Sequence, residues 1–144
     1  MSVVLAFFYL WYSTPNFDGH WAHWNHTVLP HWTSSVNLQY VHVNKPFRPE
    51  AAADAAGGDS LAGIHSRYYP SNGPYSSSDP AQLRSQFKAM AEAGIDVAIA
   101  SWWGRAEVSA ADSQGTHTDD KFDAVLAAAH ESGVKVAFLM EVRE

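Results

Sequence analysis

The sequence predicts an α/β protein that forms the N-terminal portion of a larger α/β domain, with three parallel strands and two helices. Three apolar runs, at residues 3–9, 95–102 and 134–140, have the Val, Ile and Phe content of buried strands. An amphipathic segment with apolar residues at helical spacing precedes each of the last two runs. A strand, helix, strand, helix, strand order is typical of parallel strands joined by right-handed crossovers.

The first predicted strand, residues 3–9, is too short to cross a bilayer, which takes about 20 residues. It also lacks the basic segment and the small-residue cleavage site of a signal peptide. The Ser-Thr-Pro-Asn sequence at residues 13–16 predicts a turn. A long irregular segment follows, to about residue 79, with an Ala-rich insertion at 51–58. Loops of this length are usually functional, and its many Trp, Tyr and His residues favour that interpretation.

Both predicted helices have recognisable ends. Asp79 is the predicted N-cap of the first, Pro80 fits its first position, and Gly94 ends it. The second begins near residues 118–120, with a cap at Thr118 or Asp119, and ends at Gly133. The predicted inward-facing residues are Leu83, Phe87, Met90 and Ala91 in the first helix, and Phe122, Val125, Leu126 and Ala129 in the second.

Composition excludes several classes of function. The chain of 144 residues has a formal net charge of -6, which disfavours nucleic-acid binding. It has no cysteine, so disulfides and thiolate chemistry are absent. It contains no Gly-rich phosphate loop, no Gly-x-Ser-x-Gly elbow and no dinucleotide motif, so nucleotides are not expected partners. Because the sequence stops directly after the third predicted strand, we expect one partial domain at residues 1–144.

Aromatic residues follow the first two predicted strands and a carboxylate follows the third. The residues at these strand ends are Tyr9, Trp11, Tyr12, Trp102, Trp103 and Glu141. In parallel α/β folds these ends face the active site. Flat apolar rings beside polar groups suit a sugar, whose C–H faces stack on rings. Packing in the core explains Tyr9 and Trp102 equally well, whereas Trp11, Trp103 and Glu141 favour function.

Histidines cluster in the segment after the first strand, at His20, His23, His26, His31 and His42. Zinc is one hypothesis, but the spacing matches no known zinc motif. Hydrogen bonds within a loop or to sugar hydroxyls are the alternative. The acidic segment at 112–120 lacks the ligand spacing of a calcium loop, so we predict a polar loop. The tyrosines at 68, 69 and 75 either contact a ligand or hold their loop in place.

Several short motifs follow one another along most of the chain. They comprise Phe8, Tyr9, Trp11 and Tyr12; Phe17, Asp18 and Gly19; His23, Trp24, Asn25, His26, Val28, Leu29, His31 and Trp32; Tyr69, Pro70, Gly73, Tyr75, Ser76, Ser77, Asp79 and Pro80; Ser101 and Trp102; Gly115, Thr118 and Asp119; and Lys135, Val136, Ala137 and Phe138. Their order and approximate spacing resemble the opening of the endo-α-mannosidases of glycoside hydrolase family 99.

This resemblance implies a fold, an activity and a set of contacts. The fold is a (β/α)8 TIM-type barrel, of which the three strands and two helices are the N-terminal portion. The activity is cleavage, with retention of configuration, of internal α-1,2-mannosidic bonds in N-glycans or mannans, without a metal or cofactor. The residues implied around the sugar are Tyr9, Trp11, Tyr12, His31, Trp32, Trp102, Trp103 and Glu141. Trp102 is the first choice as a stacking platform.

The sequence departs from the family pattern in two respects. The family has His-x-Glu-Pro-Tyr after the third strand, whereas residues 139–144 read Leu-Met-Glu-Val-Arg-Glu, so that only Glu141 matches. The family's principal catalytic carboxylates lie on later strands, so we expect no catalytic residue within this chain and an incomplete, inactive fragment. A non-catalytic carbohydrate-binding remnant and a histidine-cluster metal-binding protein are the alternatives.

The resemblance also implies a partner and a compartment. The expected partner is an α-mannoside-containing glycan, and the expected location is the Golgi lumen. The sequence itself shows no signal peptide or membrane segment, so any membrane association would require an anchor not seen in this chain.

Overall fold

Three parallel strands form one sheet in the order β1, β2, β3. The computed structural model describes residues 2–25, 47, 64, 66, 69–106, 111, 112 and 114–141. The strands are β1 at Leu5–Phe8, β2 at Val97–Trp102 and β3 at Lys135–Met140. The three predicted strands are confirmed, each beginning one or two residues later than the apolar run suggested.

The register assigns every strand residue to one of two faces. Phe8 lies opposite Ala100, and Ala100 lies opposite Phe138. Because successive side chains of a strand point to opposite faces, these three share one face. Phe7 and Ile99 are also partners and belong to the other face. The face of Phe8 is covered by helices, whereas the side chain of Phe7 is 62% exposed.

Two helices cover the face of the sheet that carries Phe8. They are helix α2 at Pro80–Glu92 and helix α3 at Phe122–Ser132. A short helix α1 precedes them at Pro15–Asp18. The buried residues of this core are Leu10, Leu83, Phe87, Ala98, Ala100, Phe122, Val125, Ala128, Ala129 and Val134. Phe87 packs edge-on against Phe8, with ring centroids 5.3 Å apart. Hydrophobic burial therefore holds the helices on the strands.

Helix α2 begins as the sequence predicts. The Asp79 side chain accepts a hydrogen bond from the backbone N–H of Ala81 at 2.8 Å, and Pro80 occupies the first turn. This carboxylate satisfies one of the N–H groups that a helix start leaves without an intrahelical partner. The helix ends at Glu92, two residues before the Gly94 that predicted its end.

The predicted turn at residues 13–16 continues into helix α1. Pro15 occupies its first turn, and Gly19 ends it in the left-handed conformation at φ 78°. The Asp18 carboxylate accepts a hydrogen bond from the backbone N–H of Thr14 at 2.7 Å. Asp18 therefore closes a local ring that fixes the chain just after β1.

The predicted side-chain cap of α3 is wrong. Neither Thr118 nor Lys121, which precede the two helical segments there, makes a capping hydrogen bond, and a 3-10 turn at Asp119–Lys121 leads into the helix. Thr118 Oγ1 instead accepts from the backbone N–H of Trp103 at 3.0 Å, and Asp119 Oδ1 accepts from Trp102 Nε1 at 2.8 Å. These side chains hold the end of β2, because they accept from the Trp102 indole N–H and from the backbone N–H of the next residue.

The other face of the sheet carries apolar side chains with high exposure. Leu5 is 55% exposed and Leu139 is 37% exposed. Within the described ranges, no helix is long and apolar enough to cross a membrane. The Ala-rich insertion predicted at 51–58 lies outside the described residues.

Candidate functional site

Trp11, just beyond β1, lies within a group of rings. Its ring centroid is 4.3 Å from that of Tyr9 at an interplanar angle of 17°, and 5.7 Å from that of Trp103. His23 and Tyr12 complete the group, with centroids 5.3 Å and 6.3 Å from Trp11. We name these five residues the aromatic cluster. It includes predicted site residues from the ends of two strands, as expected when parallel strands end at one edge.

Tyr12 connects the aromatic cluster to the loop before α2. Its ring stacks on Trp24 with centroids 4.1 Å apart, and the Trp24 indole N–H donates to the Tyr75 carbonyl at 2.8 Å. The backbone groups of Tyr12 and Ser77 also pair, with Ser77 N 2.8 Å from Tyr12 O. Burial raises the pKa of Tyr12 and raises the pKa of Tyr75 to about 12.

Of the two interpretations left open for the tyrosines at 69 and 75, these contacts support the packing role. Both pack against a small buried cluster that contains Trp24 and Ile64. Residue 68 lies outside the described residues. Aromatic packing therefore attaches the loop before α2 to the segment after β1. Tyr12 belongs both to this packing and to the aromatic cluster.

His23 is held by hydrogen bonds and by ring contacts. Its backbone has φ 61°, a left-handed conformation that non-glycine residues rarely adopt. Its N–H donates to Gln114 Oε1 at 2.9 Å, and its Nε2 lies 2.5 Å from Asp112 Oδ2. Its ring stacks on Trp11 at an interplanar angle of 15°. A residue in an unfavourable conformation that its surroundings hold so firmly is a common feature of functional sites.

Asp112 is the acceptor at the centre of its own loop. Asp112 Oδ1 accepts from the backbone N–H of Gln114 at 2.9 Å and of Thr116 at 2.8 Å. Burial raises the pKa of Asp112, but the hydrogen bonds from Thr116, Gln114 and His23 outweigh it and leave the pKa below its usual value. The sequence predicted only a polar loop here. The pairing with His23 was missed, since it joins residues 89 positions apart.

Glu141 lies directly after β3 and is joined to β2 by its side chain. Ser101 Oγ is 2.7 Å from Glu141 Oε1, and Trp103 Nε1 is 3.1 Å from Ser101 Oγ. The backbone N–H of Glu141 also donates to the Trp102 carbonyl at 3.0 Å. Ser101 is 1% exposed, so the hydroxyl between these two side chains is shielded from water. Ser101 was not among the predicted site residues, although it precedes the two tryptophans in the sequence.

Trp102 lies apart from the aromatic cluster. It sits opposite Met140 and on the helix-covered face, because its neighbours in β2 alternate in direction. Its ring centroid is 6.2 Å from that of Phe138, and its indole N–H bonds to Asp119. The predicted role of Trp102 as a stacking platform is therefore not supported by its position, which favours packing between the sheet and α3.

The remaining predicted residues concern the histidine segment. His31 and Trp32, and the histidines at 26 and 42, lie outside the described residues. His20 Nδ1 lies 3.0 Å from the Asp18 carbonyl, a contact within its own turn. Within the ranges that the structure describes, no three His, Asp or Glu side chains are grouped so as to hold a metal ion. The absence of a metal and of a cofactor stays a prediction.

The carboxylates after the strands differ in how many of their oxygens are engaged. Asp18 accepts at both oxygens, from Thr14 N and from Ser76 Oγ. Asp112 and Asp119 also accept at both oxygens. Glu141 accepts only at Oε1, among the residues that the structure describes. Glu141 Oε2 is therefore available to a hydroxyl group. In the aromatic cluster nearby, the Tyr9 side chain is 39% exposed.

Similarity to known sequences covers the whole chain. The family model of glycosyl hydrolase family 99 matches residues 1–144. A mouse glycoprotein endo-alpha-1,2-mannosidase-like protein is 37% identical over 133 residues, which are 92% of this chain and 26% of that protein. The rat glycoprotein endo-alpha-1,2-mannosidase is 36% identical over 138 residues, which are 96% of this chain and 26% of that protein. The chain thus spans about a quarter of the length of these relatives.

A solved structure shares the fold. The family 99 endo-alpha-mannosidase from Bacteroides thetaiotaomicron superposes with a TM-score of 0.61 at 25% sequence identity, covering 97% of this chain and 34% of that chain. Together with the parallel sheet and its helices, this confirms the prediction that the three strands are the N-terminal portion of a (β/α)8 barrel. In such barrels the segments after the strands build the active site.

Proposed function

Because the chain belongs to glycosyl hydrolase family 99, we propose that it supplies the part of an endo-α-mannosidase site that binds an α-mannoside. The observation that carries this proposal is the meeting of the aromatic cluster and Glu141 at one edge of the sheet. Glu141 is linked through Ser101 to Trp103, whose ring lies beside Trp11. Rings and one available carboxylate oxygen therefore occupy neighbouring positions.

Sugar recognition follows from the chemistry of these groups. A pyranose has an apolar face of C–H groups, which gains dispersion energy when it lies on an aromatic ring. Its hydroxyls donate hydrogen bonds, and a carboxylate acceptor makes such bonds stronger than a neutral acceptor does. Tyr9, Trp11 and Trp103 offer rings, and Glu141 Oε2 offers the acceptor. Tyr12 also belongs to the proposed site, as the residue that anchors the cluster to the loop before α2.

The substrate and the reaction are part of the proposal. The similar proteins are named endo-alpha-1,2-mannosidases, so internal α-1,2-mannosidic bonds of N-glycans or mannans are the proposed target. Asp18, Asp112 and Asp119 have both oxygens engaged within the protein, which disfavours them as general acid or base. We propose that the acid and base of the reaction are not among the residues of this chain. Sites at His31 and Trp32, and a Golgi location, are proposed on family resemblance.

Carbohydrate binding without hydrolysis is a second candidate. It is favoured by the engagement of those three aspartates, which leaves Glu141, among the residues that the structure describes, as the carboxylate beside the rings with an unengaged oxygen. Retaining glycosidases generally need a pair of carboxyl groups flanking the scissile bond. The two candidates share a binding site and differ in whether product forms.

One experiment tests both candidates. Titration calorimetry with α-1,2-linked mannobiose measures binding, and the release of shorter sugars from a longer α-1,2-linked manno-oligosaccharide is followed by chromatography. Binding by this chain is expected under both candidates. Product from a whole barrel in which this chain forms the N-terminal part supports the endo-mannosidase proposal, and binding without product from that barrel supports the second candidate. Trp103→Ala is expected to weaken binding at least about tenfold, because a stacked ring is lost. Absence of binding by the unaltered protein would refute both.

Glu141→Gln supplies the polar half of the test. It keeps the size of the side chain and removes the charge that strengthens a hydrogen bond from a sugar hydroxyl. The matched control is Glu131→Gln, which changes an exposed glutamate on α3. We expect weaker mannobiose binding for Glu141→Gln and an unchanged affinity for Glu131→Gln.

A further inference from the structure

Ser101 lies between Trp103 and Glu141 in a chain of two hydrogen bonds. Its Oγ is 3.1 Å from Trp103 Nε1 and 2.7 Å from Glu141 Oε1. At 1% exposure, the serine has no access to water that could replace either bond. The Ser101 hydroxyl is therefore the group that joins the Trp103 indole to the Glu141 carboxylate.

Donor and acceptor chemistry fixes the direction of this chain. An indole N–H can only donate, so Ser101 Oγ must accept from Trp103. The hydroxyl proton of Ser101 is then free to donate, and Glu141 Oε1 is the oxygen that receives it. The two oxygens of this carboxyl group are therefore inequivalent before a ligand arrives.

We propose that Ser101 is a positioning residue that holds Glu141 with Oε1 turned to the protein and Oε2 presented to the sugar. This inference rests on the proposed function, and it adds the residue that sets the orientation of the ligand-binding carboxylate. The backbone of Glu141 is fixed as well, by the bond from its N–H to the Trp102 carbonyl at 3.0 Å. Main chain and side chain are thus held by the same strand, β2.

The same serine also links the carboxylate to the rings. Trp103 donates to Ser101, and its ring lies 5.7 Å from that of Trp11 with a tilt of 36°. Loss of the Ser101 hydroxyl would therefore remove the acceptor of the Trp103 indole as well as the donor to Glu141. We expect the loss of Ser101 Oγ to disturb the acceptor and a ring wall of the site together.

A double-mutant cycle on the protein tests this role. Mannobiose affinity is measured for Ser101→Ala, Glu141→Ala and the pair, with Ser85→Ala as the matched control on the exposed side of α2. We expect Ser101→Ala to weaken binding about tenfold, the range for a hydrogen bond to a charged group. In the Glu141→Ala background the same change is expected to cost only a few-fold, because only the hydrogen bond from Trp103 is then lost. Equal losses in both backgrounds would overturn the proposal.

Ser101→Thr provides the conservative variant. It keeps the hydroxyl and suits a strand, so we expect it to restore most of the affinity that Ser101→Ala loses. Restoration separates a role of the hydroxyl from a general effect of altering a buried position. A Ser101→Thr protein that folds and binds as weakly as Ser101→Ala would count against the proposal.

A second measurement is independent of sugar binding. The crystal structure of Ser101→Ala is compared with that of the unaltered protein, and the position of Glu141 Oε1 is measured in both. We expect the carboxylate to leave its position when its donor is lost, and an unmoved carboxylate would refute the inference. If Glu141 moves and mannobiose affinity stays unchanged in Glu141→Ala, then Ser101 positions Glu141 and the proposed binding role of Glu141 is wrong.

Discussion

His23 Nε2 lies 2.5 Å from Asp112 Oδ2, so the segment after β1 is tied to the segment after β2 by one pair of side chains. Both side chains are largely buried, at 12% and 11% exposure. The imidazole also stacks on Trp11. This pair therefore helps to hold the aromatic cluster against the segment after β2, together with the ring contact of Trp11 and Trp103.

Loss of the His23 side chain is expected to destabilise the protein by about 1–3 kcal/mol, because the Asp112 carboxylate loses a buried partner. The measurement is urea unfolding of His23→Ala. The control is Lys88→Ala, which removes an ion pair with Glu92 whose side chains are 77% and 67% exposed. Exposed pairs contribute little, so the control is expected to unfold like the unaltered protein. Equal unfolding midpoints for His23→Ala and the unaltered protein would contradict the structural role.

The lowered pKa of Asp112 predicts a loss of stability in acid. A carboxyl group whose folded-state pKa lies below its unfolded value stabilises the fold above the unfolded pKa, about 3.9 for Asp. This contribution falls as the pH drops through the lower, folded-state pKa. We expect Asp112→Asn to reduce the difference in melting temperature between pH 7 and pH 2. An unaltered pH profile in this variant would show that other carboxyl groups govern acid unfolding.

Tyr75 predicts a loss of stability in alkali. Burial raises its pKa from 10.0 to about 12. A raised folded-state pKa leaves stability intact below the unfolded value and removes it as the pH rises toward the folded one. Stability should therefore decline between pH 10 and pH 12, where the unfolded chain ionises first. Tyr75→Phe removes this hydroxyl, so its thermal melts should show a smaller decline over that interval, with Tyr9→Phe as the control.

The two adjacent tryptophans should differ in what their loss affects. Trp102→Phe is expected to lower the melting temperature, since the bond from its indole to Asp119 is lost, and to leave mannobiose affinity unchanged. Trp103→Phe keeps an aromatic ring at this position but loses the hydrogen bond to Ser101, so it is expected to weaken mannobiose binding a few-fold. Calorimetry and thermal melts of both variants give the comparison. A larger loss of affinity in Trp102→Phe would restore Trp102 as the stacking platform.

Phe87 is the largest apolar contribution of α2 to the core. It is completely buried and packs against Phe8 of β1. Phe87→Ala is expected to cost about 3–5 kcal/mol of unfolding free energy, from lost burial and the remaining cavity. Chemical denaturation measures this loss, and Phe87→Leu, which fills part of the space, should lose less. A loss below about 1 kcal/mol for Phe87→Ala would show that α2 is not packed on the sheet as described.

Local sequence signals predicted the elements, because each depends on neighbouring residues. Asp79 and Pro80 mark a helix start through their own backbone chemistry, and Gly133 adopts the left-handed φ of 78° that ends α3. The pairing of His23 with Asp112 depends on how distant segments meet, and no local pattern encodes it. The capping prediction at Thr118 failed for the same reason, since its acceptor is used by the distant Trp103.

The sequence also did not predict the face of the sheet on which Trp102 lies. Residues 97–102 read Val-Ala-Ile-Ala-Ser-Trp, an apolar run without the polar alternation that shows which side chains face inward. Pairing with β1 and β3 supplies that information, because Ala100 lies opposite Phe8 and Phe138. Position after a strand therefore grouped Trp102 with Trp103, whereas the register separates the faces on which they lie.

Trp102 at the end of β2 and Trp103 just after it lie on opposite sides of the sheet, which makes this strand intolerant of changes in length. Deleting one residue before Ser101 would advance the alternation by one step and send each tryptophan to the side of the other. The serine would then lie under the helices, and Glu141 would lose its partner. Substitutions in β2 alter one contact at a time, but an insertion or deletion there exchanges the helix-covered face with the opposite face in a single event.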